Sequence, residues 1–185
     1  VQASAADGKT TGYRDSVGLF IRLPEHLAEQ FPSLAPEDNS PPHVTFLYVG
    51  NVPEEQDEVF LETIHKVFSE GMPTIKAKLI GLEHFDHPDK ERRVAHCAVR
   101  FSSPLSEIRS RLRSALEDAG IEVGDSFPVY RPHVTLAYMP GLDSKYEGRV
   151  PEGEWEFDEI EVWGLPKEHR VSFSKPPGKS ARAIP

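Results

Sequence analysis

The chain has 185 residues, of which 21 are Lys or Arg and 30 are Asp or Glu, so its formal net charge is −9 at pH 7. This length suffices for one domain with a sizeable core, and the acidic balance argues against a protein that grips long nucleic acid through its phosphates. No apolar run approaches the roughly 20 residues that cross a bilayer. We therefore expect neither a membrane nor a long nucleic-acid duplex as a partner.

The single cysteine, Cys97, excludes an intramolecular disulfide framework and fits a reducing compartment. It alternates with apolar residues, which predicts a buried structural thiol. The N-terminus lacks a basic-then-apolar signal peptide, so the predicted location is cytoplasmic. The predicted oligomeric state is a monomer. Because the chain begins with Val1, release from a larger precursor is kept as an alternative.

The two ends of the chain differ in composition from its middle. Residues 1–16 are small and polar and predict a flexible arm, whereas residues 175–185 form a basic tail with Pro and Gly breakers. Residues 17–174 are predicted to form a single domain of two lobes.

The first half predicts two strands, a helix and two further strands. Residues 17–23 and 43–49 are apolar and β-branched, which is typical of strands. A helix is predicted to begin near Pro53 and to end at Gly71, with apolar residues at helical spacing. Residues 75–85 and 93–101 are strand-like and are joined by the charged loop DHPDKER.

The second half repeats this order. Ser103 is the predicted N-cap and Pro104 lies in the first turn of a helix that ends at Gly120. Strands are predicted over residues 133–139, 157–165 and 169–174. The recurrence predicts an α+β fold of two pseudo-symmetric lobes.

The tetrapeptide Pro-His-Val-Thr occurs once in each half, at residues 42–45 and 132–135. A second copy of a tetrapeptide containing both His and Pro arises by chance in about one chain in a thousand of this length. Each copy is followed by an aromatic or apolar run, as expected of a strand in each lobe.

The spacing places an imidazole beside a hydroxyl in both copies. In a strand, residues i and i+2 face the same side, so His43 points with Thr45 and His133 with Thr135. The proline before each histidine cannot donate a ladder hydrogen bond, which predicts a strand start or an edge strand. Two histidines at one pocket supply a general base and a general acid, and the hydroxyls bind phosphate oxygens. This pattern predicts phosphodiester cleavage without a metal or other cofactor.

The stretches PPHVTFLYVG and YRPHVTLAY resemble the two His-x-Thr/Ser motifs of the 2H phosphoesterase superfamily, which includes bacterial 2′-5′ RNA ligase-like proteins and cyclic phosphodiesterases. The resemblance covers residues 17–174. It implies that His43 and His133 are the catalytic pair and that Thr45 and Thr135 bind phosphate. It also implies two small, mostly antiparallel sheets around a cleft, with helices on the outside. It does not decide which histidine is the acid.

Residues beside the motifs are further candidates. Tyr130 and Arg131 are predicted to bind substrate, Arg131 by neutralising phosphate charge, with an ordinary surface arginine as the alternative. Tyr48 and Tyr138 each follow a motif histidine by five residues, which in a regular strand places them in the core.

Two other groups have a functional and a structural interpretation. Trp163 and Phe173 could stack on a base, although core packing is favoured. A cluster of acids and histidines matches no standard zinc or calcium spacing and is predicted to be a solvated charged turn, so no metal site is expected; it comprises Glu83, His84, Asp86, His87 and Asp89.

The expected function is cleavage of a small nucleotide or RNA-end substrate: a 2′,3′-cyclic phosphate, a 2′-5′ linkage or a cyclic nucleotide or oligonucleotide. The alternatives are a catalytically inactive nucleotide- or RNA-binding module, and an assembly domain released from a larger precursor. Two titrating groups favour the enzyme, because binding alone does not need them.

Overall fold

The computed structural model describes residues 13–34, 40–125 and 129–173. Within these ranges eight strands form two four-stranded antiparallel sheets, ordered β2-β1-β7-β8 and β5-β4-β3-β6. The α+β class predicted from the sequence is confirmed. The strands are β1 (Tyr13–Arg22), β2 (His43–Pro53), β3 (Ile75–Asp86), β4 (Arg92–Phe101), β5 (His133–Pro140), β6 (Gly153–Phe157), β7 (Glu159–Trp163) and β8 (His169–Ser172).

Two amphipathic helices contact each other. They are α2 (Asp57–Phe68), which follows a 3₁₀ turn at Glu54–Gln56, and α3 (Ser106–Asp118); a short helix, α1 (Glu25–Ala28), lies between β1 and β2. Apolar residues three or four apart form one buried face on each long helix. These buried residues are Phe60, Ile64, Val67 and Phe68 in α2, and Ile108, Leu112 and Leu116 in α3.

The two sheets are built alike around the repeated tetrapeptide. Each motif strand is the edge strand of its sheet, and the strand next to it is the one before it in the chain, β1 beside β2 and β4 beside β5. Both motif strands begin at their histidine, as the preceding proline predicts. The strands β2 and β5 contact each other, so the two copies lie on neighbouring edges.

One predicted strand is confirmed only in part. Residues 157–165 were expected to form a strand, and β7 occupies Glu159–Trp163 of that range, but Phe157 ends β6 (Gly153–Phe157), a strand of the other sheet that was not predicted. Asp158 lies between them, and its carbonyl oxygen accepts a hydrogen bond from the Phe173 amide at 2.7 Å. The chain therefore crosses from the second sheet to the first at a single residue.

Other boundaries also differ. The first strand begins at Tyr13, within the predicted flexible arm. Helix α3 begins at Ser106 with the buried Leu105 at the N-cap position, whereas Ser103 was the predicted N-cap. The rest of the predicted arm, residues 1–12, and the basic tail lie outside the described residues.

The core runs through both sheets and beneath the long helices. Its largest fully buried side chains include Phe46, Phe60, Phe68, Leu19 and Ile21. Among the described residues, none of the helices has the length and apolar character that a membrane span requires.

Candidate active site

The two motif histidines are held in the same tautomer. Nδ1 of His43 lies 2.7 Å from the carbonyl oxygen of Pro41, and Nδ1 of His133 lies 2.8 Å from that of Arg131. Since a carbonyl oxygen only accepts, Nδ1 carries the hydrogen in each neutral ring. Nε2 is therefore the nitrogen without a hydrogen in both neutral rings.

The alternation predicted for the motifs is present. In both strands the histidine and the threonine are half-buried while the valine between them is fully buried, so His43 shares a face with Thr45, and His133 with Thr135. The opposite face, toward Val44 and the equivalent valine of β5, belongs to the core. Each copy thus presents an imidazole and a hydroxyl on the side away from the core.

A bulge follows the threonine in both strands and overturns one prediction. The extra residue is Phe46 in β2 and Leu136 in β5, as the register against the neighbouring strands shows. A bulge reverses the side that later residues face. Tyr48 and Tyr138, expected in the core, are consequently exposed by 38% and 37%.

The first histidine has aromatic neighbours. Phe20 and Trp163 stack with ring centroids 4.4 Å apart, and His43 meets them edge-on at 5.1 and 5.0 Å. Trp163 donates its indole N–H to buried Glu161 at 3.1 Å, and Arg22 donates to both oxygens of that carboxylate. The ion pair of Arg22 and Glu161 therefore holds Trp163 in place. We call Phe20 and Trp163 the aromatic wall beside His43.

Opposing effects set the protonation of Glu161 in this ion pair. Burial alone would raise the pKa of Glu161, but hydrogen bonds from Arg22 and Trp163 outweigh it and lower the pKa below its usual value. The same contact raises the pKa of Arg22. Glu161 is thus a carboxylate whose charge is balanced by the guanidinium.

The second histidine lies beside a third imidazole. The ring of His96 is 4.7 Å from that of His133, and Phe85 lies 5.6 Å from His133 on another side. His96 is 7% exposed, and its Nε2 lies 3.4 Å from the exposed carboxylate of Glu83. Burial, followed by the charge of His133, lowers the pKa of His96, so this ring is neutral at pH 7.

His96 occupies the position in the second sheet that Phe20 occupies in the first. Phe20 pairs with the motif threonine on one side and with Glu161 on the other, and His96 pairs with the equivalent threonine and with Glu83. These flanking residues were missed in the sequence. The available signal was the repeat itself, because aligning β1 with β4 brings the two positions together.

Tyr130 and Arg131, predicted to bind substrate, are oriented differently. The Tyr130 hydroxyl donates to the carbonyl oxygen of Thr45 at 2.9 Å, so it is engaged by the first motif's backbone. Arg131 is exposed, and its carbonyl holds the ring of His133. Neither contact tests substrate binding, which stays a prediction for both.

The charged residues of the turn between β3 and β4 bind one another. Asp89 accepts backbone hydrogen bonds from Glu91 and Arg92, and contacts the Arg92 guanidinium at 2.8 Å and His87 at 3.0 Å. These contacts, chiefly the bond from the Glu91 amide, lower the pKa of Asp89 to about 2. The prediction of a charged turn is therefore confirmed for His87 and Asp89 but is wrong for Glu83, His84 and Asp86, which belong to strand β3.

Three remaining candidates are placed by their burial. Cys97 is fully buried, as predicted, and burial raises the pKa of its thiol to about 11, so it is not a thiolate at neutral pH. Phe173 is also in the core and stacks on Phe68. Trp163, in contrast, lies beside His43.

Comparison with known families gives a match to most of the chain. The family model described as the 2′-5′ RNA ligase superfamily matches residues 22–166, a range that includes both motifs. No curated protein matches the sequence.

Several solved structures share the fold. Escherichia coli LigT complexed with 3′-AMP is 16% identical with a TM-score of 0.56, covering 86% of this chain and 95% of that one. TT0787 of Thermus thermophilus is 18% identical with a TM-score of 0.57 and the same coverages. Kluyveromyces marxianus Usb1 with uridine monophosphate is 12% identical with a TM-score of 0.56, covering 86% and 98%. At these identities the likeness concerns the fold alone.

Proposed function

Because the chain belongs to the 2′-5′ RNA ligase superfamily, a family of phosphodiesterases, we propose that it cleaves a phosphodiester with His43 and His133 as its acid/base pair. The observation that carries the proposal is that the two histidines are held in the same way. Each histidine begins an edge strand, the two strands contact each other, and Nδ1 of each ring is bound to a backbone carbonyl.

The reaction proposed is an in-line displacement at phosphorus. One histidine accepts a proton at Nε2 from the attacking water or hydroxyl as its oxygen bonds to phosphorus. The other donates a proton from Nε2 to the oxygen whose bond to phosphorus breaks. Thr45 and Thr135 donate hydrogen bonds to the non-bridging oxygens, where negative charge increases in the transition state.

The substrate proposed is a nucleotide or the end of an RNA chain. LigT and Usb1 have been solved with 3′-AMP and uridine monophosphate, which are nucleotides carrying one phosphate. The net charge of −9 disfavours long duplexes, and the aromatic wall beside His43 offers faces on which a base can stack. A 2′,3′-cyclic phosphate, a 2′-5′ linkage and a cyclic nucleotide or oligonucleotide all fit this description.

A panel of these three substrate types, assayed in EDTA, tests the proposal. Cleavage of at least one is expected without added metal. His43→Ala or His133→Ala should lower turnover by roughly a hundredfold to ten-thousandfold, and the double variant should lose little more, because the two rings act in one displacement. Thr45→Ala or Thr135→Ala should lose about ten- to a thousandfold.

The matched control is His65→Ala, which removes an exposed histidine from α2 and should leave turnover unchanged. Near wild-type cleavage by the double histidine variant would refute the proposed chemistry. Nucleotide binding with no turnover of any substrate would instead favour the alternative of an inactive binding module.

A further inference from the structure

A buried network connects the second motif with the first. Arg109 of α3 is 8% exposed and Asp125 is 9% exposed, and Nη2 of the guanidinium donates to Oδ2 of the carboxylate at 2.5 Å. The guanidinium carbon also lies 4.9 Å from the centre of the Tyr130 ring. We call Arg109, Asp125 and Tyr130 the Tyr130 network.

The donors of this network end on consecutive carbonyl groups of β2. The Tyr130 hydroxyl donates to the Thr45 oxygen at 2.9 Å, and Nε of Arg109 donates to the Phe46 oxygen at 2.9 Å. Phe46 is the bulged residue, where regular strand pairing is interrupted. Burial raises the pKa of Tyr130, so its hydroxyl stays protonated and remains a donor.

The same segment holds the second histidine. Tyr130 precedes His133 by three residues, and the carbonyl of Arg131 accepts the hydrogen of His133 Nδ1 at 2.8 Å. Two hydrogen bonds and a short piece of backbone therefore connect Thr45 with His133.

Stability alone is a poor explanation for the network. A buried ion pair loses hydration on both charges, and well-packed apolar residues in its place are often equally or more stabilising. The charged pair instead fixes geometry, because the Arg109 guanidinium can hold a carboxylate, a carbonyl and an aromatic ring in defined positions at the same time.

We propose that Tyr130 is a positioning residue, which holds the first motif at the separation from His133 that lets both histidines engage one phosphate. The inference rests on the proposed function for its kinetic consequence. Arg109 and Asp125 act through Tyr130 and the Phe46 carbonyl.

Tyr130→Phe tests the proposal, since it removes one hydroxyl and keeps the ring. Its control is Tyr146→Phe, whose hydroxyl likewise donates to a carbonyl, that of Arg149 at 3.0 Å, in a loop apart from the motifs. With a cleaved substrate from the panel, Tyr130→Phe should lower kcat about tenfold or more, a larger effect than its change in KM. Arg109→Lys keeps the positive charge beside Asp125 but loses the planar guanidinium that donates to two acceptors at once, so it should lower kcat in the same way.

Binding of inorganic phosphate provides a readout separate from turnover. Histidine ring resonances, followed by NMR during phosphate titration, should report one dissociation constant at His43 and His133 in the wild type, and one at least about fivefold weaker in Tyr130→Phe. If the wild type cleaves nothing but this weakening occurs, the positioning role stands and the proposed function fails. Equal kcat and equal phosphate affinity in Tyr130→Phe and Tyr146→Phe overturn the positioning role, and so does a wild type that neither cleaves nor binds phosphate.

Discussion

Removing the carboxylate of Asp125 should destabilise the protein more than any surface charge change. Arg109 is 8% exposed and cannot lose its proton, so Asp125→Ala leaves a buried positive charge without its partner at 2.5 Å. Breaking a buried pair in this way costs about 3–5 kcal/mol. With a urea m-value of about 2 kcal/mol/M, the unfolding midpoint should fall by roughly 1.5–2.5 M.

Urea unfolding followed by circular dichroism measures this effect against a control on the same helix. Half-buried Arg113 and exposed Glu117 form a pair one turn apart, 3.6 Å at closest approach, and Glu117→Ala should cost about 0.5 kcal/mol or less. The double variant Arg109→Met with Asp125→Leu should be more stable than Asp125→Ala alone, because no charge remains buried. If Asp125→Ala and Glu117→Ala unfold within about 1 kcal/mol of each other, the reasoning about the buried pair is refuted.

Two further predictions concern pH and backbone conformation. The pKa of His96 is lowered in the folded protein, chiefly by burial, so as the pH falls the unfolded chain binds a proton at this ring before the folded protein does. The contribution of His96 to stability is therefore complete above about pH 6.5 and is lost as the pH falls through the lowered pKa. His96→Phe, which copies Phe20, should therefore flatten the decline of Tm between pH 7 and 5, and an unchanged decline would contradict this. Gly164→Ala should lower Tm more than Gly81→Ala: both glycines have positive φ, but a Cβ at Gly164 would lie 2.8 Å from Val17 Cα while one at Gly81 meets nothing within 4 Å. Equal losses of Tm would count against the steric part of the argument.

The sequence was informative where local chemistry decides the structure. The proline before each histidine restricts hydrogen bonding, so edge placement and the start of β2 and β5 followed from the residues alone. Period-two alternation likewise predicted which side His43 and Thr45 face. The long helices were recognisable because their apolar residues recur every three or four positions.

The errors came from features that depend on tertiary pairing. Phe46 and Leu136 are bulged because two residues of each motif strand lie opposite one residue of the neighbouring strand. No local sequence pattern distinguishes them from regular strand residues. Tyr48 and Tyr138 were therefore assigned to the wrong face. The change of sheet at Asp158 was also missed, because β6 was not predicted and Phe157, its last residue, was assigned to the same strand as β7.

Identical tetrapeptides do not make identical sites. In each copy the carbonyl of the residue just before the tetrapeptide, Pro41 or Arg131, sets the tautomer of the histidine, so the ring geometry is repeated. The side chains beside the two rings come from other strands, and these differ: Phe20 contacts His43, whereas the titratable ring of His96 contacts His133. Burial, followed by the charge of His133, lowers the pKa of His96, so the second motif has a titratable neighbour where the first has a phenyl ring. The duplicated sequence therefore supplies two similar rings, and in the proposed reaction the unequal residues opposite the threonines are what distinguishes one ring from the other.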